Sequence, residues 1–201
     1  MKPASTRPTT KIITGQYKGR VLQLPAMEAA RPTRNRVLQA AFNILQGYTD
    51  FNNLTVAELC CGSGAWGLEA LSRGAVQVYL VDTTPRIAKQ NVQALEVAAQ
   101  AQVIQADAAS WAPSEPVDLV LADPPYGETA LLAAILHNHA KLGQEGTLWL
   151  LETAAEVTVP WPSNFTVLVS RTYGVSALHL ARQKRINLVG DERVELPTLS
   201  V

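Results

Sequence analysis

Residues 121–126 read Leu-Ala-Asp-Pro-Pro-Tyr and close a short apolar run, Val117 to Ala122. Neither Pro124 nor Pro125 has an N–H to donate, so a sheet ladder cannot continue through them. The chain must leave a buried strand there and enter a stiff turn. That turn gathers the carboxylate of Asp123, the backbone carbonyl of Pro124 held rigid by Pro125, and the ring of Tyr126. Two hydrogen-bond acceptors and an aromatic face therefore stand together at the end of one strand.

A second group of chemically capable residues lies in Val-Ala-Glu-Leu-Cys-Cys-Gly-Ser-Gly-Ala-Trp-Gly, residues 56–67. A strand, a Gly-Ser-Gly loop and a helix start read from it. Gly62 and Gly64 let the backbone approach a ligand or take positive φ, and in open parallel sheets ligands bind there, beyond the strand ends at the topological switch point. Gly62, Gly64 and Gly67 fit the dinucleotide pattern, but Glu58 on the strand end would repel a pyrophosphate and suits a cation. The Gly-Lys-Ser/Thr ending of a phosphate-binding loop is absent. Asp82 ends the next strand, eighteen residues beyond Gly64, where a carboxylate meets a ribose diol. Asp107 follows a third strand and is placed to meet a purine amine. These carboxylates together favour a cationic adenosine ligand without phosphates, such as S-adenosylmethionine. The candidate cofactor set is Glu58, Cys60, Gly62, Ser63 and Gly64, with Asp82, Thr83, Asp107 and Ala108. Each also has a plainer role: the glycines can serve a tight turn, Asp82 an N-cap ahead of Pro85, and Cys60 and Cys61 packing.

The elements that must carry these residues alternate. Strand-like runs at 54–60, 76–81, 101–105, 117–122 and 146–151 are separated by helix-like runs at 64–73, 84–99 and 128–141. That pattern means βαβ units, hence a mostly parallel, Rossmann-like α/β sheet with helices on both faces. Residues 164–183 read as two strands around Tyr173-Gly174, an antiparallel hairpin added at the C-terminal end. Ahead of the sheet, 11–24 reads as a β-hairpin, and 32–48 as a helix with Thr33 as N-cap and Gly47 as its stop. The expected organisation is a disordered basic tail at 1–10, a hairpin extension at 11–31, and one catalytic domain at 32–201.

Lysine plus arginine and aspartate plus glutamate both number 17, so the formal net charge is zero. The balance is uneven along the chain. Residues 1–36 hold Lys2, Arg7, Lys11, Lys18, Arg20, Arg31, Arg34 and Arg36 against Glu28 alone. Such a segment suits a polyanion; a solvated tail is the simpler alternative. No apolar run is long enough to span a membrane, and the N-terminus has no secretion-signal core. The adjacent Cys60 and Cys61 suit neither a structural disulfide nor a zinc site, and His137, His139 and His179 show no metal pattern. No metal, no membrane and a cytoplasmic location are expected.

Glu58–Ala75, followed by Asp123-Pro-Pro-Tyr126, resembles class I S-adenosylmethionine-dependent methyltransferases. More narrowly, the order of Lys11–Arg20, Arg31–Val37, the glycine loop, the Asp-Pro-Pro-Tyr turn and Tyr173–Gln183 is similar to bacterial small-subunit (16S) ribosomal RNA guanine-N2 methyltransferases. The resemblance covers roughly residues 11–183. Two departures stand out: Cys60-Cys61 replace the family's usual Phe-Ala in the loop, and Asn35 stands where the family often has Asp. The resemblance implies methylation of an exocyclic base amine, with Asp123, Pro124, Pro125 and Tyr126 as the catalytic set. The amine's lone pair is delocalised into its ring. Acceptors for its hydrogens turn that pair toward the methyl donor, and Tyr126 offers a face for an extruded base. Lys11, Lys18, Arg20, Arg31, Arg34 and Arg36 would hold RNA phosphates, with Arg182, Lys184 and Arg185 as the alternative. The expected partner is ribosomal RNA, in the small subunit or an assembly intermediate, and the expected state is a monomer. A DNA adenine-N6 methyltransferase is the first rival, a small-molecule or protein methyltransferase, disfavoured by the basic arm, the second, and a non-catalytic nucleic-acid-binding protein the third. Because the sheet begins near residue 54, removal of residues 1–31 is expected to spare the cofactor site.

Overall fold

In the computed structural model, residues 8–25 and 34–185 are described. A seven-stranded sheet forms from β3 (Thr55–Leu59), β4 (Gln77–Asp82), β5 (Ala101–Gln105), β6 (Val117–Ala122), β7 (Gly143–Ala154), β8 (Phe165–Tyr173) and β9 (Ser176–Gln183). Its order is β5-β4-β3-β6-β7-β9-β8. The first five strands in that order run parallel, and β9 pairs antiparallel with both β7 and β8. The chain builds outward from β3 through β4 to β5, then crosses back to place β6 on the other side of β3. The strand order therefore reverses between β3 and β6, and the crevice beyond their C-terminal ends is where this architecture binds ligands.

The central strands are apolar on both faces, as parallel strands covered on both sides must be. Alternation divides them between two layers. Val56, Leu80, Leu119, Leu121, Leu150 and Leu180 pack against α1 (Arg34–Leu45), α2 (Ala65–Ser72) and α3 (Arg86–Leu95). Ala57, Leu59, Val120, Trp149 and Leu151 face α4 (Thr129–His137) and α5 (His139–Leu142). Helix α2 is buried along its whole length, Glu69 included. The Glu69 carboxylate accepts from the backbone N–H groups of Ile13 at 2.7 Å and Thr14 at 3.1 Å and pairs with Arg73 at 2.7 Å.

Those two N–H groups belong to the N-terminal hairpin, formed by β1 (Thr9–Lys11) and β2 (Val21–Gln23). The hairpin does not stand apart from the rest of the fold: Ile12 and Leu22 are buried in the same core as Phe42, Leu68 and Leu80. Gly15, at φ +87, lies so close to α2 that a Cβ there would meet the Ser72 carbonyl oxygen at 1.7 Å. Asn35 accepts from the Thr10 hydroxyl and so ties the start of α1 to β1. The expectation of disorder through residue 10 is corrected for Thr9 and Thr10, which pair with Gln23 and Leu22; residues 1–7 lie outside the described residues, as does the expected N-cap Thr33.

Expected boundaries shift for local reasons. The helix expected to 99 ends at Leu95 because Glu96 takes a left-handed φ of 62°. The helix expected over 128–141 breaks at Asn138, whose side chain donates to the Trp111 carbonyl at 2.9 Å instead of extending outward. Strand β7 runs on to Ala154 because Glu152, Thr153 and Ala154 pair with Leu178, Ala177 and Ser176.

Candidate functional site

Strand β3 delivers the chain to the crevice at Leu59, and Cys60 then takes φ 58°, a left-handed conformation rare for a side-chain-bearing residue. Gly62 (φ 51°) and Gly64 (φ 75°) complete the loop into α2. Space as well as φ demands glycine at Gly64, where a Cβ would meet Leu80 Cδ1 at 2.8 Å. Glu58 lies beneath this loop at 5% exposure. Its carboxylate accepts from the N–H of Gly67 at 2.8 Å and of Trp66 at 3.4 Å. It thus receives the otherwise unpaired N–H groups of the first turn of α2, a placement the sequence reading of a ligand-facing carboxylate did not foresee.

Asp82 closes β4 beside the loop. Its Oδ2 accepts from Gly62 N–H at 2.9 Å, and its Oδ1 accepts from Thr84 N–H at 2.8 Å. It is not the N-cap of α3; that position is Pro85. Asp107 follows β5 and turns the chain by accepting from Ala109 N–H at 2.9 Å. Cys60, Gly62, Asp82, Thr83, Asp107 and Ala108 together line a cavity of about 990 Å3 at the C-terminal ends of β3, β4 and β5. Pro125 lines it from the next strand end. Glu58, Ser63 and Gly64 are buried and are not among the residues that line it. Desolvation first, then the negative charges of Asp82, Asp123, Asp107 and Glu58, push the Cys60 thiol up to about 12. Cys60 therefore stays protonated and unreactive. Burial, followed by Glu58, pushes the Cys61 thiol up as well.

Asp123 is half-buried and Pro124 buried at the end of β6, while Pro125 is exposed. Tyr126 is fixed at its far end: its hydroxyl donates to Glu152 Oε1 at 3.0 Å and lies within hydrogen-bonding distance of Ser176 Oγ. With the phenol proton directed at the carboxylate, Ser176 is the donor to the phenol oxygen. A shallow hollow between Pro124, Tyr126, Thr153, Ala154 and Val157 adjoins the larger cavity at Pro125, which lines both. Behind it, buried His179 bridges Thr153 Oγ1 at 3.1 Å and Ser170 Oγ at 2.9 Å. Because Thr153 donates to the Ala154 carbonyl, Nε2 carries the proton and Nδ1 accepts, a neutral imidazole assigned from this network. Burial lowers its pKa accordingly.

Among the described residues, Lys11, Lys18, Arg20 and Arg36 do not line the cavity. The hairpin tip packs against the far ends of two helices: Gln16 N–H donates to the carbonyl of Ser72, the last residue of α2, and Arg20 donates to the Ala94 carbonyl near the end of α3 at 2.7 Å. Lys11, Lys18 and Arg36 are exposed; Arg31 and the Arg34 side chain lie outside the described residues. Arg182, of the alternative phosphate set Arg182, Lys184 and Arg185, pairs with Leu148 midway along β7, and none of the three lines the cavity. The cations that do line the cavity are Arg86 and Lys89 of α3, which the sequence reading missed; their one-turn spacing at the start of a helix following Asp82 was the available signal. The hairpin's exit also reaches the site, for Leu24 and Pro25 line the cavity. Removing residues 1–31 would take away that wall together with buried Ile12 and Leu22, which corrects the expectation that the cofactor site would survive intact.

A family model described as conserved hypothetical protein 95 matches residues 10–182. The chain is 30% identical over 181 residues to ribosomal RNA small subunit methyltransferase D of Escherichia coli, spanning 87% of this chain and 90% of that one. It is 31% identical over 182 residues to the Haemophilus influenzae protein of the same name, spanning 85% and 92%. The solved structure of the Escherichia coli protein yhhF, named as a methyltransferase, superposes with a TM-score of 0.75 at 28% identity, covering 89% of this chain and 100% of that one.

Proposed function

The chain belongs to the conserved hypothetical protein 95 family, and from that membership we propose that it methylates the exocyclic 2-amino group of a guanine in small-subunit ribosomal RNA, with S-adenosylmethionine as donor. The observation that carries the reading is the junction at Pro125, where the cavity beyond β3, β4 and β5 meets the Asp-Pro-Pro-Tyr hollow beyond β6. The residues present fit the donor. A cavity of this size, apolar at Leu24, Ile87 and Ala108, with the carboxylates of Asp82 and Asp107 at the strand ends and Arg86 and Lys89 contributed by α3, suits an adenosine ligand. Asp82 would hold the ribose hydroxyls and Asp107 the adenine amine. When bound, the donor supplies a methyl group on a positively charged sulfur, so the transfer needs no covalent enzyme intermediate.

The protein's own task is to prepare the nucleophile. The Asp123 carboxylate and the Pro124 carbonyl accept the two amine hydrogens, which turns the nitrogen lone pair toward the methyl group. Tyr126, its hydroxyl tethered by Glu152 and Ser176, holds the extruded base at a fixed height. The donor's sulfur would keep the C–S electron pair as leaving group, and the methylated amine would then be acidic. Its proton passes to Asp123 and then to water. RNA phosphates would be met by Lys11, Lys18, Arg31, Arg34 and Arg36, with Arg86 and Lys89 nearest the target; Arg20 is already engaged with Ala94.

Labelled methyl transfer from S-adenosylmethionine tests the reading with unmodified small ribosomal subunits, naked small-subunit RNA and duplex DNA side by side. Incorporation confined to the RNA-containing samples is expected. Incorporation into DNA alone would move the enzyme to the adenine-N6 class, and none anywhere would leave a binding protein.

A further inference from the structure

Asn91 lies in the middle of α3 at 1% exposure. Its Oδ1 accepts from Gln23 N–H at 2.8 Å, and its Nδ2 donates to the Gln23 carbonyl at 2.9 Å and the Ser63 carbonyl at 2.8 Å. A single side-chain amide thereby engages both backbone groups of the last residue of β2 and fastens them to the centre of the glycine loop. The next two residues after Gln23, namely Leu24 and Pro25, line the donor cavity, and so does Gly62 just before Ser63. A carboxylate would lack both donors, and an aliphatic isostere would leave the Gln23 N–H and the Gln23 and Ser63 carbonyls without this partner.

We propose that Asn91 is the positioning residue that couples the N-terminal hairpin to the donor cavity, so that donor binding orders the hairpin's exit and ordering of the hairpin favours donor binding. The inference rests on the reading of that cavity as the S-adenosylmethionine site. Its consequence follows from linkage: because the same hairpin carries Lys11 and Lys18, RNA held on the hairpin and donor held in the cavity strengthen each other by a common factor. Asn91 touches neither ligand and acts only through Gln23 and Ser63.

The test uses the full chain with S-adenosylhomocysteine as the probe, read by calorimetry and by backbone hydrogen exchange. In the unaltered protein, the probe should slow exchange both in the glycine loop and in residues 21–25. In Asn91→Asp, which keeps shape and acceptor but loses both donors, affinity should fall roughly ten-fold. At saturating probe the glycine loop should still be protected, while the protection of residues 21–25 is lost. Asn91→Ala should behave alike; if it fails to fold, Asn91→Asp decides. Ile135→Val, buried on the opposite face of the sheet, supplies a destabilised control that should keep probe-dependent protection in both segments. Unchanged affinity, or protection of residues 21–25 persisting in Asn91→Asp, would overturn the coupling. Absence of probe binding to the unaltered protein would instead overturn the donor-site reading beneath it.

Discussion

Replacing Glu58 by Gln separates two roles that a buried carboxylate at this point could have. The structure gives it a scaffolding role: Oε2 receives Gly67 N–H at 2.8 Å and Oε1 receives Trp66 N–H at 3.4 Å, both at the start of α2. A hydrogen bond to a charged acceptor contributes about 1.5–3 kcal/mol net, and the neutral amide retains roughly half of it. The amide's NH2 must also face a second N–H donor, and the favourable placement of a negative charge at a helix N-terminus, worth about 0.3–2 kcal/mol, is lost. Together these amount to about 2 kcal/mol, or a fall of about 4–8 °C in melting temperature for a chain of this size. Urea and thermal unfolding measure the loss. Calorimetry with two ligands then isolates the alternative role, because S-adenosylmethionine carries a positive sulfur and S-adenosylhomocysteine does not. The scaffold account predicts equal, small losses of affinity for both. A stability change below about 0.5 kcal/mol, combined with a selective loss of the charged ligand, would refute it and restore the ligand-facing reading of Glu58.

Asp82→Ala removes both the acceptor for Gly62 N–H and the carboxylate facing the cavity, so affinity for S-adenosylhomocysteine should fall by about 1–3 kcal/mol, read by calorimetry. Gly67→Ala would put a Cβ 2.6 Å from Leu80 Cδ2 and 2.7 Å from Val78 Cγ1; overpacking of this kind should cost about 1–3 kcal/mol and lower the urea midpoint. Burial depresses the pKa of His179 below its unfolded value, so the folded state favours the neutral ring. Stability from this source should be full above the unfolded pKa and lost as pH falls from there through the folded pKa. Urea midpoints across that range should show the slope, and His179→Gln should flatten it.

The parts of this fold that were legible in the sequence are those whose physical cause is local. Leu119–Ala122 is apolar throughout because β6 is covered on both faces there, and two prolines end it visibly. Gly62 and Gly64 advertise the positive φ that the loop requires. What stayed hidden depends on partners distant in the chain. Tyr126 is anchored by Glu152 and Ser176, 26 and 50 residues away, and Asn91 reaches Gln23 across 68 residues; neither pairing has a sequence signature. Composition also misled about position. The basic excess of residues 1–36 is real, yet Arg20 at the hairpin tip serves the end of α3, and the cations at the cavity come from Arg86 and Lys89, in a segment whose net charge is acidic. Charge counts report how much is present in a segment and carry no information on which way the segment folds.

The central claim is that Asp123 and its turn prepare a guanine 2-amino group for methylation. Nucleoside analysis by mass spectrometry of small-subunit RNA treated with S-adenosylmethionine and either the unaltered protein or Asp123→Ala tests it most directly. The account predicts N2-methylguanosine with the unaltered protein. With the variant it predicts a rate lower by about 10²–10³-fold, on the scale of losing one transition-state contact, while S-adenosylhomocysteine still binds within a few-fold. N6-methyladenosine as the product, or N2-methylguanosine formed at a near-normal rate by Asp123→Ala, would contradict it.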